Sequence, residues 1–132
     1  MKELEFLEKQ NVSPELIKRA EEFRQAYPVK DEVAGRIIRP SIPFYGKEIL
    51  EMAIAAILQG QNLLLTGPKA TGKNILAENL AYIFNRPSYN VSFHVNTSSG
   101  DLIGTDTFED NEVKLRKGSI YRCAEYLSLI HI

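Results

Sequence analysis

The chain has 132 residues, of which 44% are hydrophobic and 25% are charged, and its formal net charge is −1. These values are ordinary for a globular domain with a real hydrophobic core. The near-neutral charge, with no strongly basic block, excludes the electrostatic footprint of a nucleic-acid-binding protein. A single cysteine, Cys123, excludes an internal disulfide framework and is interpreted as a small apolar residue on a helix.

No segment predicts membrane insertion or export. Residues 1–5 lack the apolar core of a signal peptide, and no apolar run approaches the length of a transmembrane helix. We therefore expect a cytoplasmic protein with neither a membrane nor a nucleic acid as partner.

Residues 1–42 are predicted to form an N-terminal helical extension and a connector. A short charged helix spans Lys2 to Lys9, and a second helix has Ser13 as its N-cap and Pro14 at its first position. Pro28 ends this second helix. Its apolar residues recur at helical spacing, so we expect the helix to pack on the domain that follows.

A further helix is predicted directly after the stretch Tyr45-Gly46-Lys47-Glu48. Gly60 gives this helix a C-terminal stop. The apolar residues assigned to its buried face are Ile49, Met52, Ala53, Ala56 and Ile57. The helix leads the chain into the next strand.

The stretch from Asn62 to Ile83 has the order strand, glycine-bounded loop and helix. An apolar strand, Asn62–Thr66, leads into the loop, where Gly67 and Gly72 let successive backbone N–H groups point inward. Such a nest at a helix N-terminus favours a phosphate group. Lys73 would reach the β- and γ-phosphates as a point charge. This is the context that a P-loop requires, and it predicts binding of a nucleotide.

One position departs from the strict P-loop pattern. The residue after Lys73 should be serine or threonine, whose hydroxyl ligates magnesium, and here it is Asn74. An amide carbonyl is also an acceptable ligand for a hard cation, so Asn74 is the candidate ligand for Mg²⁺. The alternative is a strand-to-helix turn that contains glycine and binds no ligand.

The residues after the P-loop helix are predicted to form a strand, a hairpin and a final helix. The second strand spans Tyr89 to Val95, and a broken helix begins near Asp101. The hairpin strands are Thr105–Phe108 and Val113–Leu115. The last helix spans Ile120 to Tyr126.

The hexamer Leu127 to Ile132 needs a separate interpretation. One reading frame of a widely used transposon-based sequencing adaptor encodes these residues, so we expect 127–132 to be a non-native tail. The alternative is a genuine apolar strand, which this sequence could also form.

Together, residues 43–126 resemble AAA+ ATPases of the MoxR-like branch, close to the dynein-related AAA group. The motifs that carry the resemblance are Tyr45-Gly46-Lys47-Glu48, the P-loop Gly67 to Asn74, His94-Val95-Asn96, Asp101-Leu102-Ile103-Gly104 and Lys117-Gly118-Ser119-Ile120-Tyr121. The resemblance implies an α/β fold, a P-loop NTPase (AAA+) with a three-layer core, preceded by the helical extension. In that family the hairpin is an insertion in the second helix and contributes to contacts with a partner or substrate.

The resemblance also implies roles for single residues. The backbone from Gly67 to Lys73 would wrap the phosphates, and Lys73 would be the catalytic residue that stabilises the β/γ charge. Tyr45 and Gly46 would lie beside the adenine. The full set implied in binding ATP and Mg²⁺ is Gly67, Pro68, Lys69, Ala70, Thr71, Gly72, Lys73, Asn74, Ile75, Tyr45 and Gly46, with Asn74 at the metal position.

The family places its Walker B strand, an apolar run that ends in Asp-Glu, just beyond Tyr126. That acidic pair would hold the metal and orient the attacking water. We therefore expect residues 43–126 to be a truncated nucleotide-binding domain that binds nucleotide weakly and does not hydrolyse it. The strands that flank Leu63–Leu65 in the family are also expected beyond Tyr126, so the isolated chain should be unstable or aggregate.

For the parent protein, the resemblance implies a homo-hexameric ATPase that remodels or matures a partner protein complex. Family members often work with a von Willebrand A-domain protein. Two other functions stay open at this point. One is a P-loop small-molecule kinase, against which the long helical lead-in to the P-loop speaks. The other is a nucleotide-responsive binding module without hydrolysis, which Asn74 favours.

Overall fold

The computed structural model describes residues 2–68, 70–90, 95–125 and 129–131. The helices are α1 (Glu5–Lys9, after a 3-10 turn at Lys2–Leu4), α2 (Pro14–Ala26), α3 (Asp31–Ala34), α4 (Lys47–Leu58), α5 (Lys73–Ile83), α6 (Ser99–Leu102) and α7 (Ser119–Glu125). The strands are β1 (Ser88–Asn90), β2 (Gly104–Glu109), β3 (Glu112–Lys117) and β4 (Leu129–His131). β1 pairs with β4 in parallel and β2 pairs with β3 antiparallel.

One hydrophobic core joins the N-terminal helices to the P-loop helix. Its buried members lie on α1, α2, α4, α5 and the segments next to them: Leu4, Leu7, Val12, Ile17, Ala20, Leu50, Ala53, Ile54, Leu76, Leu80, Ile83 and Phe84. Arg24 of α2 adds a polar link, because its guanidinium donates to the carbonyl oxygens of Tyr82 (2.7 Å) and Ile83 (3.3 Å) at the C-terminus of α5. The apolar face of α2 therefore packs on the P-loop helix, as the sequence predicts.

The start of α2 lies where the sequence predicts it, but the hydrogen bonds of its N-cap residue differ from the prediction. α2 begins at Pro14, but the side chain of Ser13 makes no capping hydrogen bond. Its backbone N–H instead donates to Oε1 of Glu51 on α4, at 2.9 Å. Glu51 of α4 thus holds the backbone at the start of α2, while the predicted side-chain cap is not formed.

The apolar face predicted for α4 is only partly the buried one: Ala53 is buried and Ile57 packs against the core, as predicted. The buried residues are Leu50, Ala53 and Ile54, whereas Ile49 and Met52 are 51% and 73% exposed. Apolar residues lie almost all round this helix, so the helical period alone does not select a face. Packing against α1 and α2 decides which residues are buried. Gly60, with φ 75°, follows the helix as predicted.

The predicted strand Asn62–Thr66 is not a strand in this structure. No backbone group of these residues pairs with another described segment, and Leu64 is 87% exposed. A strand exists only through its partners. The described strands form two separate pairs instead of the central sheet of a three-layer core.

The second predicted strand is described only in part. β1 covers Ser88–Asn90, residues 91–94 lie outside the described part of the chain, and Val95 is fully exposed. β4 lies in the hexamer that was interpreted as a tail, and its register pairs Tyr89 with Ile130. The alternative of an apolar strand thus describes the local structure, while the non-native origin of 127–132 stays a prediction.

The hairpin confirms its prediction and is longer at both ends. β2 and β3 pair from Gly104 with Lys117 to Glu109 with Glu112. Asp110 and Asn111 connect them with φ of 52° and 61°, the geometry of the tight turn that suits a right-twisted hairpin. The predicted broken helix is α6, which ends at Leu102, two residues before the glycine that starts β2.

Gly118 closes the base of the hairpin and leaves no room for a side chain. Its N–H donates to the carbonyl of Ile103 at 2.9 Å. A β-carbon on Gly118 would overlap the carbonyl oxygen of Leu102 and lie 2.9 Å from the backbone nitrogen of Ile103. Both neighbours are backbone atoms, so they cannot move aside without shifting α6.

We therefore expect Gly118→Ala to lower the free energy of unfolding by about 2 kcal/mol, measured by urea unfolding followed by circular dichroism. Gly35→Ala is the matched control, because Gly35 has φ −66° and nothing within 4 Å of its β-position. Equal stability of the two variants would contradict this account of the hairpin base.

Cys123 lies buried on α7, as the sequence predicts. Burial raises the pKa of its thiol to about 11, so the thiol form predominates at neutral pH. Among the described residues, no helix combines the length and the apolar character needed to cross a membrane.

Candidate functional site

The loop between residue 66 and α5 folds back on itself. Gly72 has φ 84°, in the left-handed region, and is the N-cap of α5, while Gly67 has φ 155°. Residues other than glycine rarely adopt these φ angles, because their β-carbon would clash with the backbone. This explains why each end of the loop is a glycine. Ala70 also has a positive φ, at 60°. Lys69 is outside the described residues.

The ammonium group of Lys73 lies against this loop. Its Nζ donates to the carbonyl oxygens of Gly67 (2.8 Å) and Pro68 (2.5 Å) and lies 3.3 Å from Oγ1 of Thr71. The hydroxyl of Thr71 donates to the same Pro68 carbonyl at 2.9 Å. The cation of Lys73 is therefore held at the loop by neutral oxygen atoms, with which an anionic ligand would compete.

The N-terminus of α5 has the features of an anion site. No side chain caps it within the described residues, and its first turn contains no acidic residue. The helix is 11 residues long, so the first-turn N–H groups carry the positive end of a full helix dipole. Asn74 is exposed in this first turn and Ile75 is half-buried behind it.

A segment beside the loop contains the other two predicted residues, Tyr45 and Gly46. The ring of Phe44 packs near the loop, since its Cε2 would lie 3.6 Å from a β-carbon on Gly72. Tyr45 is 74% exposed. The structure thus brings the Phe44–Gly46 segment to the C-terminal end of the P-loop.

Two polar side chains, which the sequence analysis did not single out, fix this segment. Asn79 of α5 is 1% exposed; its Oδ1 accepts from the N–H of Phe44 (3.1 Å), and its Nδ2 donates to the carbonyl of Ile42 (3.1 Å). Gln10, after α1, donates through Nε2 to the carbonyl of Phe44 (2.8 Å) and accepts at Oε1 from the N–H of Gly46 (3.0 Å).

A sequence signal exists for one of these two residues. Asn79 lies on the buried face of α5 between Leu76 and Leu80, and a polar residue in a core position demands hydrogen-bond partners. Gln10 follows α1 among charged and polar residues, so nothing in the sequence around it indicates a buried polar side chain that needs hydrogen-bond partners.

The described residues hold no group of three or more histidine, cysteine, aspartate or glutamate side chains that could bind a metal ion. Arg86 is the buried cation next to the core; burial lowers the pKa of its guanidinium, which hydrogen-bonds to the carbonyl oxygens of Tyr27 and Asn85. It belongs to the packing of α2 on α5.

Comparison with known proteins identifies the same stretch. Residues 62–130 match the family model described as an AAA domain of the dynein-related subfamily. The match begins at Asn62, just before the loop, and includes α5, the hairpin and α7.

The curated relatives are bacterial proteins described as uncharacterized. YojN of Bacillus subtilis is 34% identical over 83 residues, covering 63% of this chain and 27% of the relative. SERP0979 of Staphylococcus epidermidis is 36% identical over 64 residues, covering 48% of this chain and 24% of the relative. The chain thus spans about a quarter of the length of these relatives. No solved structure matches it significantly.

Proposed function

Because this chain belongs to the AAA domain family, in its dynein-related subfamily, we propose that it is the ATP-binding part of an AAA+ ATPase of the MoxR-like branch. The family has a P-loop NTPase fold that binds nucleotide. The observation that carries the proposal is the loop from Gly67 to Lys73, where an ammonium group meets the uncapped N-terminus of α5.

The proposed binding step uses the chain's own donors. The backbone of residues 67–73 would surround the β- and γ-phosphates, and Lys73 would exchange its loop oxygens for phosphate oxygens. The phosphate oxygens carry negative charge and the loop carbonyls do not, so Coulomb attraction to the ammonium group favours the exchange. Tyr45 and Gly46 are the proposed neighbours of the adenine.

Asn74 is the proposed ligand for Mg²⁺. Its side chain is exposed in the first turn of α5, next to the lysine that would contact the phosphates, and its amide oxygen is a hard donor. Asn74 would thus help to hold a Mg²⁺ ion, whose charge would offset the negative charge of the phosphates.

Hydrolysis and remodelling are proposed for the whole protein. Its hydrolytic residues are expected beyond Tyr126, and the oligomer expected for the family is a homo-hexamer. Its proposed task is to remodel or mature a partner protein complex, with a von Willebrand A-domain protein as the expected type of partner. A second candidate is a nucleotide-responsive module that binds without hydrolysis. The observation that favours this second function is Asn74 in place of a hydroxyl residue.

The first test is titration of the chain with ATP, in Mg²⁺ and in EDTA. We expect saturable binding, and we expect Asn74→Thr to tighten binding in Mg²⁺ by about tenfold, equivalent to about 1.4 kcal/mol. Binding in EDTA should not change, because the substitution acts only through the metal. Absence of saturable binding would overturn the proposed function, and tightening in EDTA as well would overturn the role of Asn74.

An assay of ATP hydrolysis on the whole protein distinguishes the two candidate functions. Release of phosphate from ATP by that protein supports the ATPase. Binding of ATP without release of phosphate supports the module.

A further inference from the structure

The side chain of Gln10 holds two backbone groups of one short segment. Nε2 donates to the carbonyl of Phe44 at 2.8 Å, and Oε1 accepts from the N–H of Gly46 at 3.0 Å. These groups flank Tyr45, so a single amide fixes the chain on both sides of that residue. Gln10 is itself fixed, because its backbone N–H donates to the carbonyl of Leu7 at the end of α1.

The same segment is also held by the P-loop helix. The N–H of Phe44 donates to Asn79 of α5, and the Phe44 ring packs near Gly72. The segment therefore lies between the N-terminal helices and the loop, and its position relative to the loop depends on both.

The residue in the middle of this clamped segment is exposed. Tyr45 is 74% exposed although the peptide groups on either side of it are hydrogen-bonded. A large aromatic ring on a fixed backbone suits stacking on a planar group, because little conformational freedom is lost when it binds. The loop next to it would hold the phosphates of the same ligand.

We propose that Gln10 is a positioning residue for the base of the bound nucleotide, and that the N-terminal helices are thereby part of the nucleotide site. This inference rests on the proposed function of the P-loop. Gln10 does not touch the nucleotide. It sets the distance and orientation of Tyr45 relative to the loop from Gly67 to Lys73.

A purely structural role of Gln10 predicts a different result from a positioning role. If the hydrogen bonds of Gln10 only stabilise the fold, their loss should change the Kd of every ligand of the site by the same factor. A positioning bond affects ATP, which has a base, and leaves tripolyphosphate, which has only the phosphate chain, unaffected.

The test compares ATP and tripolyphosphate binding to the full chain carrying Gln10→Met, which keeps the length of the side chain and removes its hydrogen bonds. We expect the Kd for ATP to rise about tenfold, a change of about 1.4 kcal/mol, and the Kd for tripolyphosphate to stay within about twofold. Gln25→Met, at an exposed glutamine of α2, is the matched control and should change neither value.

Tyr45→Ala supplies a second variant that the fold tolerates, because the side chain is exposed. We expect it to weaken ATP binding selectively, and we expect Gln10→Met to have no further effect in the Tyr45→Ala background, since both act through one contact. Full additivity of the two substitutions would overturn the inference.

The remaining outcomes also decide the question. Three outcomes would overturn the role of Gln10 and leave the proposed function of the P-loop intact. Gln10→Met could weaken the binding of both ligands equally, or it could fail to fold. The unsubstituted chain could also bind ATP and tripolyphosphate with equal affinity. Binding of neither ligand by the unsubstituted chain would overturn the proposed function itself.

Discussion

Replacing Lys73 by methionine should weaken the binding of ATP by about 100-fold, equivalent to about 2.7 kcal/mol. The ammonium group lies 2.5–3.3 Å from three loop oxygens, so it is already held at the loop that is proposed to bind the phosphates. A hydrogen bond to a charged group contributes about 1.5–3 kcal/mol, and methionine keeps the length of the side chain without the charge. Titration with a fluorescent ATP analogue measures the change.

The control for this substitution is Lys18→Met on α2, where the lysine is 76% exposed and far along the sequence from the loop. It should leave the affinity unchanged. Thermal unfolding without nucleotide should also be similar for the two variants, because the contacts of Lys73 are exposed. Unchanged ATP affinity in Lys73→Met would remove the P-loop from the binding site.

Replacing Asn79 by alanine should lower the free energy of unfolding by about 3 kcal/mol. The side chain is 1% exposed, and it makes hydrogen bonds with the backbone of Ile42, Phe44 and Ile75. Alanine would leave the N–H of Phe44 and the carbonyl of Ile42 without these partners and create a small cavity in the core. Domains of ordinary stability unfold with about 5–15 kcal/mol, so the loss is large.

Urea unfolding followed by circular dichroism measures this loss. Asn62→Ala is the matched control, since Asn62 is exposed and makes no hydrogen bond with a described residue. The control should change stability by less than about 0.5 kcal/mol. A loss of similar size in both variants would mean that the amide of Asn79 does not fasten the Ile42–Phe44 segment to α5.

The sequence predicts those structural elements that are determined by residues close to them in the chain. Gly72 before Lys73 predicts the start of α5, because only a residue that tolerates a positive φ fits the turn. Asp110 and Asn111 predict the tight turn of the hairpin for a similar reason. The resemblance to AAA+ ATPases also rests on short motifs, among them the P-loop from Gly67 to Asn74, and the family match shows that the chain belongs to the AAA domain family.

The parts that the sequence did not predict depend on tertiary contacts. The buried face of α4 is selected by the neighbouring helices, since apolar residues surround most of its circumference. Residues 62–66 have strand-forming side chains but no described strand to pair with. Gln10 joins the site across 34 residues of chain, a distance at which spacing rules give no information.

The exposure of Leu64 has a consequence for handling the protein. Next to Leu63, which is 39% exposed, it forms an exposed apolar strip, and the backbone of residues 62–66 makes no hydrogen bond with another backbone group that the structure describes. An exposed extended segment of this kind can pair with a strand of another molecule through backbone hydrogen bonds. Two copies of this chain can pair with each other in the same way. Self-association should therefore rise steeply with concentration, and dilute samples should give the cleanest measurements on single molecules.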